Sequence, residues 1–409
     1  MTSEMRVLDP SEWDRWFGAL ELAFGGVPEE PEERELWRDL TECDRSLGVW
    51  EGERPVATAG AFSFRMTVPG GAPVPVAGVT MVSVASTHRR RGILTSMMRR
   101  QLDDVRERGE PLAVLTASEP VIYGRFGYGA ASWAHRAVID TTRVRLDLPA
   151  GVDGVVLRPV PLADSSAAYE ELYARLVPRR PGMTVRPAGW ERQPLLDPPG
   201  ARGGSSPRQC VLAERDGELV GYASYTVKPD WGWAGPDGSV TVRELMGLDP
   251  VAEAALWRFL CSVDLTAKVR IDSRPVDDGW RHLVSDVRRC EPVLREVLFA
   301  RPVEVGAALA ARTYRTPVDV VLDVSDAFCP WNEGRWRLSG DAKGAVCERT
   351  SDAPELALSV RELGAAYLGG TALSSLAAAG RVAELRDGAL AEASLAFGSD
   401  AAPWLPHGF

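Results

Sequence analysis

The chain has 409 residues, 45% of them hydrophobic and 25% charged, with a formal net charge of −10. The length exceeds one ordinary core, so about two to four globular domains are expected, and neither a disordered nor a fibrous class fits this composition. The acidic balance argues against nucleic acid as a partner and suits cationic ligands, which an acidic cleft concentrates.

Residues 10–41 read as helices, with Trp13, Phe17, Leu20 and Phe24 on one face. The stretch G-G-V-P-E-E-P-E-E at 25–33 interrupts them. Its acidic run is either a solvated loop or one wall of a cleft. Strands at 46–51 and 56–68 follow around a turn, and a Pro/Gly hairpin at 69–73 leads to a β-prone run at 79–84. That run slips phase: Val79 and Met81 alternate on one face, Val82 and Val84 on the other. A β-bulge produces such a slip, splays the strand from its neighbour and exposes backbone to an extended ligand arm.

The basic turn Thr87-His88-Arg89-Arg90-Arg91-Gly92 comes next, then a helical pattern with Leu94, Met98, Leu102 and Val105 on one face, and a buried-type strand at 112–116. A strand that ends in a basic, Gly-containing turn and opens a helix aims N–H groups and the positive helix end at one spot, which suits a pyrophosphate. Gly92 lets the backbone approach such a ligand, and Arg90 and Arg91 add charged donors. His88 is within reach of a phosphate or serves in packing.

An echo begins after residue 150. The hairpin pattern at 211–223 mirrors 47–57, residues 240–248 echo the strand at 79–84, and 252–263 echo the helix after it. Where the first copy has His88-Arg89-Arg90-Arg91-Gly92, the second has Asp249-Pro250-Val251-Ala252-Glu253, which repels a pyrophosphate. The second copy therefore reads as folded but degenerate. The last third starts near residue 301, with a helix at 303–312, strands at 318–324, 334–339 and 345–349, further elements at 359–367 and 374–379, and a helix at 389–397. The tail Pro403-Trp404-Leu405-Pro406-His407-Gly408-Phe409 is restricted by its prolines and apolar enough to dock.

Six cysteines at 43, 210, 261, 290, 329 and 347 show no CxxC spacing, and the four histidines form no metal cluster, so free thiols and no metal are expected. No apolar run reaches the ~18 residues of a membrane span. The first residues, MTSEMRVLDPSEWDRWF, lack the apolar core of a signal peptide. A cytoplasmic location is the expectation.

The strand, R-R-x-G turn and helix resemble the acetyl-CoA site of the GCN5-related N-acetyltransferases (GNAT). Joined to Ile122-Tyr123-Gly124-Arg125-Phe126-Gly127-Tyr128-Gly129 and the final Phe409, they resemble the enhanced-intracellular-survival (Eis-like) branch of that family. The resemblance implies an α/β chain with mixed sheets: a catalytic GNAT domain at 1–150, a degenerate GNAT-like domain at 151–298, and a sterol-carrier-like α/β domain at 299–409 that supplies the terminal carboxylate.

The implied activity is acetyl-CoA-dependent N-acetylation of cationic amines, with aminoglycosides and lysine side chains as acceptors, by direct transfer in a homohexamer. Val82, Ser83 and Val84 would offer strand backbone to the cofactor arm. Arg90, Arg91, Gly92, Ile93, Leu94 and Thr95 would form the pyrophosphate turn, with Ser118 and Glu119 flanking the crevice. Tyr123 matches the general acid. The general base is the carboxylate of Phe409 itself, a weak base in water that burial would strengthen. Phe24 and Trp37 are candidate substrate walls or core aromatics. Gly408 stands where some relatives carry an acidic residue. Two other readings stand beside this one: a carrier that holds an apolar ligand in its last domain, and an acetyltransferase with another acyl donor or a small-metabolite acceptor.

Overall fold

The computed structural model describes residues 3–233 and 235–409. In chain order the first strands are β1 (Glu4–Val7), β2 (Leu47–Glu51), β3 (Arg54–Thr67), β4 (Pro73–Val84) and β5 (Leu112–Thr116). Helices α1 (Trp13–Ala23) and α2 (Pro31–Leu40) lie between β1 and β2, and α3 (Ile93–Glu107) links β4 to β5. Next come β6 (Gly129–Ala130), β7 (Trp133–Asp140), β8 (Val156–Val160), α4 (Ser166–Leu176) and β9 (Thr184–Val185). The middle holds β10 (Gln209–Arg215), β11 (Glu218–Lys228), β12 (Trp231–Gly232), β13 (Gly235–Pro236), β14 (Gly238–Gly247), α5 (Pro250–Leu260) and β15 (Thr266–Pro275). After α6 (Trp280–Leu283), β16 (Val293–Glu296) and β17 (Leu298–Pro302), the last third runs α7 (Val305–Ala310), β18 (Val318–Ser325), β19 (Gly334–Asp341), β20 (Gly344–Arg349), β21 (Leu356–Ser359), α8 (Val360–Tyr367), α9 (Leu373–Ala378), β22 (Val382–Glu384) and α10 (Ala389–Phe397).

These strands form three main sheets. The first has the order β1-β2-β3-β4-β5-β17-β6, with β9 beside β3. The second is β16-β7-β15-β14-β11-β10-β8, and the third is β20-β19-β18-β21-β22. The chain divides into two compact units. One comprises Met1–Ser132, Arg180–Arg186 and Glu296–Phe409; the other comprises Trp133–Arg179 and Pro187–Arg295. This differs from the boundaries at 150 and 298 expected from the sequence. β7 pairs with β15 in the second sheet, and β17 pairs with β5 in the first. Alternation tells which residues are strand and which face is buried, but it does not name a strand's partner.

The expected phase slip in β4 is a bulge. Thr58 pairs with Ser83 and Gly60 with Thr80, so two steps of β3 span three of β4. Met81, in the extra stretch, has φ +53°, a left-handed conformation seldom adopted outside glycine. The Thr58 hydroxyl donates to the Met81 carbonyl at 2.7 Å and meets the Ser83 hydroxyl at 2.7 Å, which braces the bulge. The splay follows. β4 and β5 pair in parallel only from Val76 opposite Leu112 to Gly78 opposite Val114, although both strands continue. α3 packs Met97, Met98, Leu102 and Val105 against this sheet.

The second sheet repeats the device. Ser224 pairs with Glu244 and Tyr225 with Val242, which leaves one extra residue on β14. Its core gathers Leu245, Leu256, Trp257, Val269 and Ile271 under α5. In the third sheet Val320, Leu322 and Val324 alternate inward with Trp336 and Leu338, and all five are buried. No helix among the described residues is long and apolar enough to cross a membrane.

Candidate active site

The splay of β4 opens a cavity of about 710 Å³ within the first unit, a size suited to a small molecule. Of the expected cofactor contacts, Val82, Ser83 and Val84 line it from β4, and Arg90, Gly92, Ile93, Leu94 and Thr95 from the turn and the start of α3. Ser118 and Glu119 line it after β5, and Tyr123, Phe24 and Phe409 complete the set. Two expected residues are elsewhere. Arg91 is exposed and outside the lining. Trp37 is outside it too: partly buried, its ring stacks 6.4 Å from Phe62 and packs on the Trp13–Trp16 cluster. His88 lines the cavity but is buried, with Nε2 3.1 Å from a Glu51 carboxylate oxygen and Nδ1 2.8 Å from the Thr87 hydroxyl.

The start of α3 is open and uncapped. Arg90 and Gly92 both adopt left-handed φ, +65° and +81°. A Cβ placed on Gly92 would meet no atom within 4 Å, so the glycine faces open space. α3 starts with no side-chain cap, and the first N–H groups of any helix lack intrahelical partners.

The second unit answers the same positions differently. Asp249 caps α5 with its own carboxylate, accepting from the N–H groups of Val251 and Ala252 at 2.9 and 3.0 Å. Arg215 neutralises it at 2.6 Å. Buried Arg274 of β15 donates to the Leu245 carbonyl of β14, pairs with Asp278 and lies 3.8 Å from Glu253 in the first turn of α5. The α5 start is thus satisfied by the chain's own carboxylate and flanked by Arg215 and Arg274, whereas the α3 start has no side-chain cap.

Tyr123 sits on a 3-10 turn, Pro120–Phe126, ended by Gly127 at φ +85°. Its ring is half-buried and stands edge-on to Tyr128 at 6.0 Å. Burial, and then the charge of Glu119, raise the Tyr123 phenol above its ordinary pKa. Tyr128 is fully buried core. The turn is tied down by Arg301 of β17, which is completely buried and donates from Nε to the Phe126 carbonyl at 2.7 Å. Its Nη2 meets both oxygens of Asp326, at 3.0 and 2.8 Å. Such a pair orients more than it stabilises.

The glycines of this motif are there for close approach. A Cβ on Gly129 would lie 2.0 Å from the Arg361 carbonyl and 2.6 Å from the Ala365 nitrogen, both backbone atoms of α8. Gly129→Ala is expected to destabilise the chain by about 1–3 kcal/mol or more through overpacking. Urea unfolding measures it, and an unchanged midpoint would contradict this packing.

The tail is docked. Trp404 and Leu405 are 5% and 2% exposed. The Phe409 ring stands edge-on to Phe64 at 5.2 Å. A Cβ on Gly78 would lie 2.5 Å from the Phe64 ring and 3.2 Å from that of Phe409, so the bare glycine makes room for both. The chain's end therefore lines the same cavity as Tyr123 and the α3 turn.

A bulged and splayed strand beside an uncapped, Gly-opened helix, repeated once and followed by a five-stranded α/β layer, defines a tandem GNAT fold with a sterol-carrier-type domain. Family models agree: an acetyltransferase (GNAT) domain matches residues 4–131, a second acetyltransferase (GNAT) domain 182–302, and a sterol carrier protein domain 305–406. An uncharacterized N-acetyltransferase of Streptomyces coelicolor is 67% identical over 413 residues, covering 100% of both chains. N-acetyltransferase Eis of Mycobacterium tuberculosis is 34% identical over 406 residues, covering 96% of each. The crystal structure of Eis1 from Mycobacterium abscessus superposes with a TM-score of 0.85 at 32% identity, covering 100% of both chains. The chain belongs to the Eis-like family of GCN5-related N-acetyltransferases, and it is an acetyltransferase. Enzymes of this class use acetyl-CoA as co-substrate.

Proposed function

We propose that the chain transfers the acetyl group of acetyl-CoA directly to primary amines of cationic small molecules, aminoglycosides among them, with Tyr123 as general acid and the Phe409 carboxylate as general base. One observation carries this reading: Tyr123, Phe409 and the α3 turn line a single cavity. The residues present suit the co-substrate. The α3 turn offers uncapped N–H groups and Arg90 to a pyrophosphate, and the splayed β4 offers backbone at Val82 to Val84. When bound, acetyl-CoA supplies an acetyl group already activated as a thioester.

The chain's own groups handle the protons. An alkyl ammonium with a pKa near ~10.4 cannot attack, so its proton must leave. The Phe409 carboxylate takes that proton from the amine nitrogen. The Tyr123 hydroxyl holds the proton that the departing sulfur needs. Phe24, itself largely exposed, and the Phe409 ring line the same cavity.

Acetyl-CoA consumption across a panel of aminoglycosides, polyamines and simple alkylamines tests the reading. Turnover with amines but not aminoglycosides would replace the acceptor class, and no turnover with any amine would end the proposal.

Gly92→Glu is a test of the turn alone. A carboxylate in the open space there would repel a pyrophosphate, and affinity for CoA by calorimetry is expected to fall by about a hundredfold, well below that of Gly92→Ala, which bears the same strain at φ +81° without the charge. Unchanged affinity would move the co-substrate away from α3.

A further inference from the structure

Residues Arg180–Arg186 lie in sequence between two stretches of the second unit, yet they pack within the first. One side of this strap is bonded to β3. Thr184 and Val185 pair with Met66 and Arg65, Gly182 N–H donates to the Thr67 carbonyl at 2.8 Å, and Thr67 N–H donates to Met183 at 2.8 Å. The other side holds the tail. Trp404 N–H donates to the Pro181 carbonyl at 2.9 Å, and Arg180 Nη1 to the Ala402 carbonyl at 2.6 Å. Gly182 has φ +91°, and a Cβ there would lie 3.1 Å from Trp404 backbone atoms, so the tail rests directly on the strap.

His407 is buried at the end of this contact. Its Nε2 is 3.3 Å from the Thr184 hydroxyl and its Nδ1 is 3.3 Å from the Gly408 carbonyl. A carbonyl can only accept, so Nδ1 carries the proton and Nε2 accepts from Thr184. Burial, and then the charge of Arg186, push the imidazole down to about 3, so it stays neutral. Gly408 is the loosest joint in the tail, because a residue without Cβ has the widest backbone freedom. Its carbonyl belongs to the peptide plane that runs through the Phe409 nitrogen to the Phe409 Cα. Holding that carbonyl restricts the plane, and Phe64 restricts the Phe409 ring.

We propose that the Arg180–Arg186 strap, acting through Thr184 and His407, positions the terminal carboxylate for the acceptor amine. Both are positioning residues, and the proposal rests on the reading of the Phe409 carboxylate as base. Thr184→Val removes the donor at nearly constant shape. It is expected to lower kcat about tenfold, the order expected from one lost hydrogen bond and a loosened base, with KM for acetyl-CoA unchanged and the melting temperature lowered by only a few degrees, the cost of that one buried hydrogen bond. Thr184→Ser restores most of the rate.

In a chain lengthened by one glycine after Phe409, Thr184→Val causes no further loss of residual turnover, because the group it positions is gone. The proposal falls, and the terminal base stands, if the lengthened chain is inactive while Thr184→Val leaves kcat intact. It also falls if the serine variant fails to rescue, if the two losses multiply, or if acetyl-CoA affinity drops with the rate. A fully active lengthened chain overturns the terminal base and the proposal together.

Discussion

Replacing Tyr123 by phenylalanine is expected to lower kcat by about a hundredfold or more, the usual contribution of a positioned proton donor, while CoA affinity and melting temperature hold. The ring is what packs. It stands edge-on to Tyr128 within the cluster that includes Met98, Phe126 and Val303, and a phenylalanine ring fills the same space. The hydroxyl is what the proposed chemistry needs.

Burial raises the Tyr123 phenol above its ordinary pKa of about 10, so the group keeps its proton throughout the neutral range. Wild-type kcat should therefore show no alkaline loss from this residue below about pH 10. A tyrosine-dependent loss near neutrality, absent in the phenylalanine variant, would contradict a phenol held protonated by burial. A phenylalanine variant with full turnover would pass the acid's role to another group.

Much of the site could be read from the residues because local chemistry dictates it. The slip from Val79 and Met81 to Val82 and Val84 marked the bulge, which the structure places at Met81. The carboxylates at 249–253 pointed to a second copy that satisfies its own helix start, but the register was four residues off: Asp249, aligned by sequence with His88, stands before α5 where Gly92 stands before α3, because the second copy's loop is shorter. What stayed hidden depends on distant partners. Nothing local in residues 298–302 says that they close the first sheet against β5, or that Arg301 reaches back to hold the Tyr123 turn. The glycines at 124, 127 and 129 were visible, but the helix they make room for lies more than two hundred residues later. Trp37 read equally as a cleft wall or a core aromatic, and only the distant partner Phe62 shows where its ring packs. The strap at 180–186 gave no sign, since a two-residue strand has no periodicity to detect.

Lengthening the chain past Phe409 is expected to cost as much turnover as the loss of Tyr123, about a hundredfold or more, with almost no loss of stability. A single added glycine converts the Phe409 carboxylate into an amide, which has no useful basicity and cannot take a proton from an ammonium. The tail's anchors lie upstream and are untouched: Trp404 and Leu405 remain buried, and the Trp404 N–H still reaches the Pro181 carbonyl at 2.9 Å. The Phe409 ring can keep its edge-on contact with Phe64. The same glycine added at the amino terminus serves as control, because β1 lies at the edge of its sheet. Steady-state kinetics should show the loss in kcat, with KM for acetyl-CoA held, since the α3 turn contributes nothing to the base and loses nothing. Equal turnover of the extended and native chains would mean that the terminal carboxylate does not take the proton. The base would then have to be sought among the other carboxylates of the cavity, of which Glu119 lines the wall beside Tyr123.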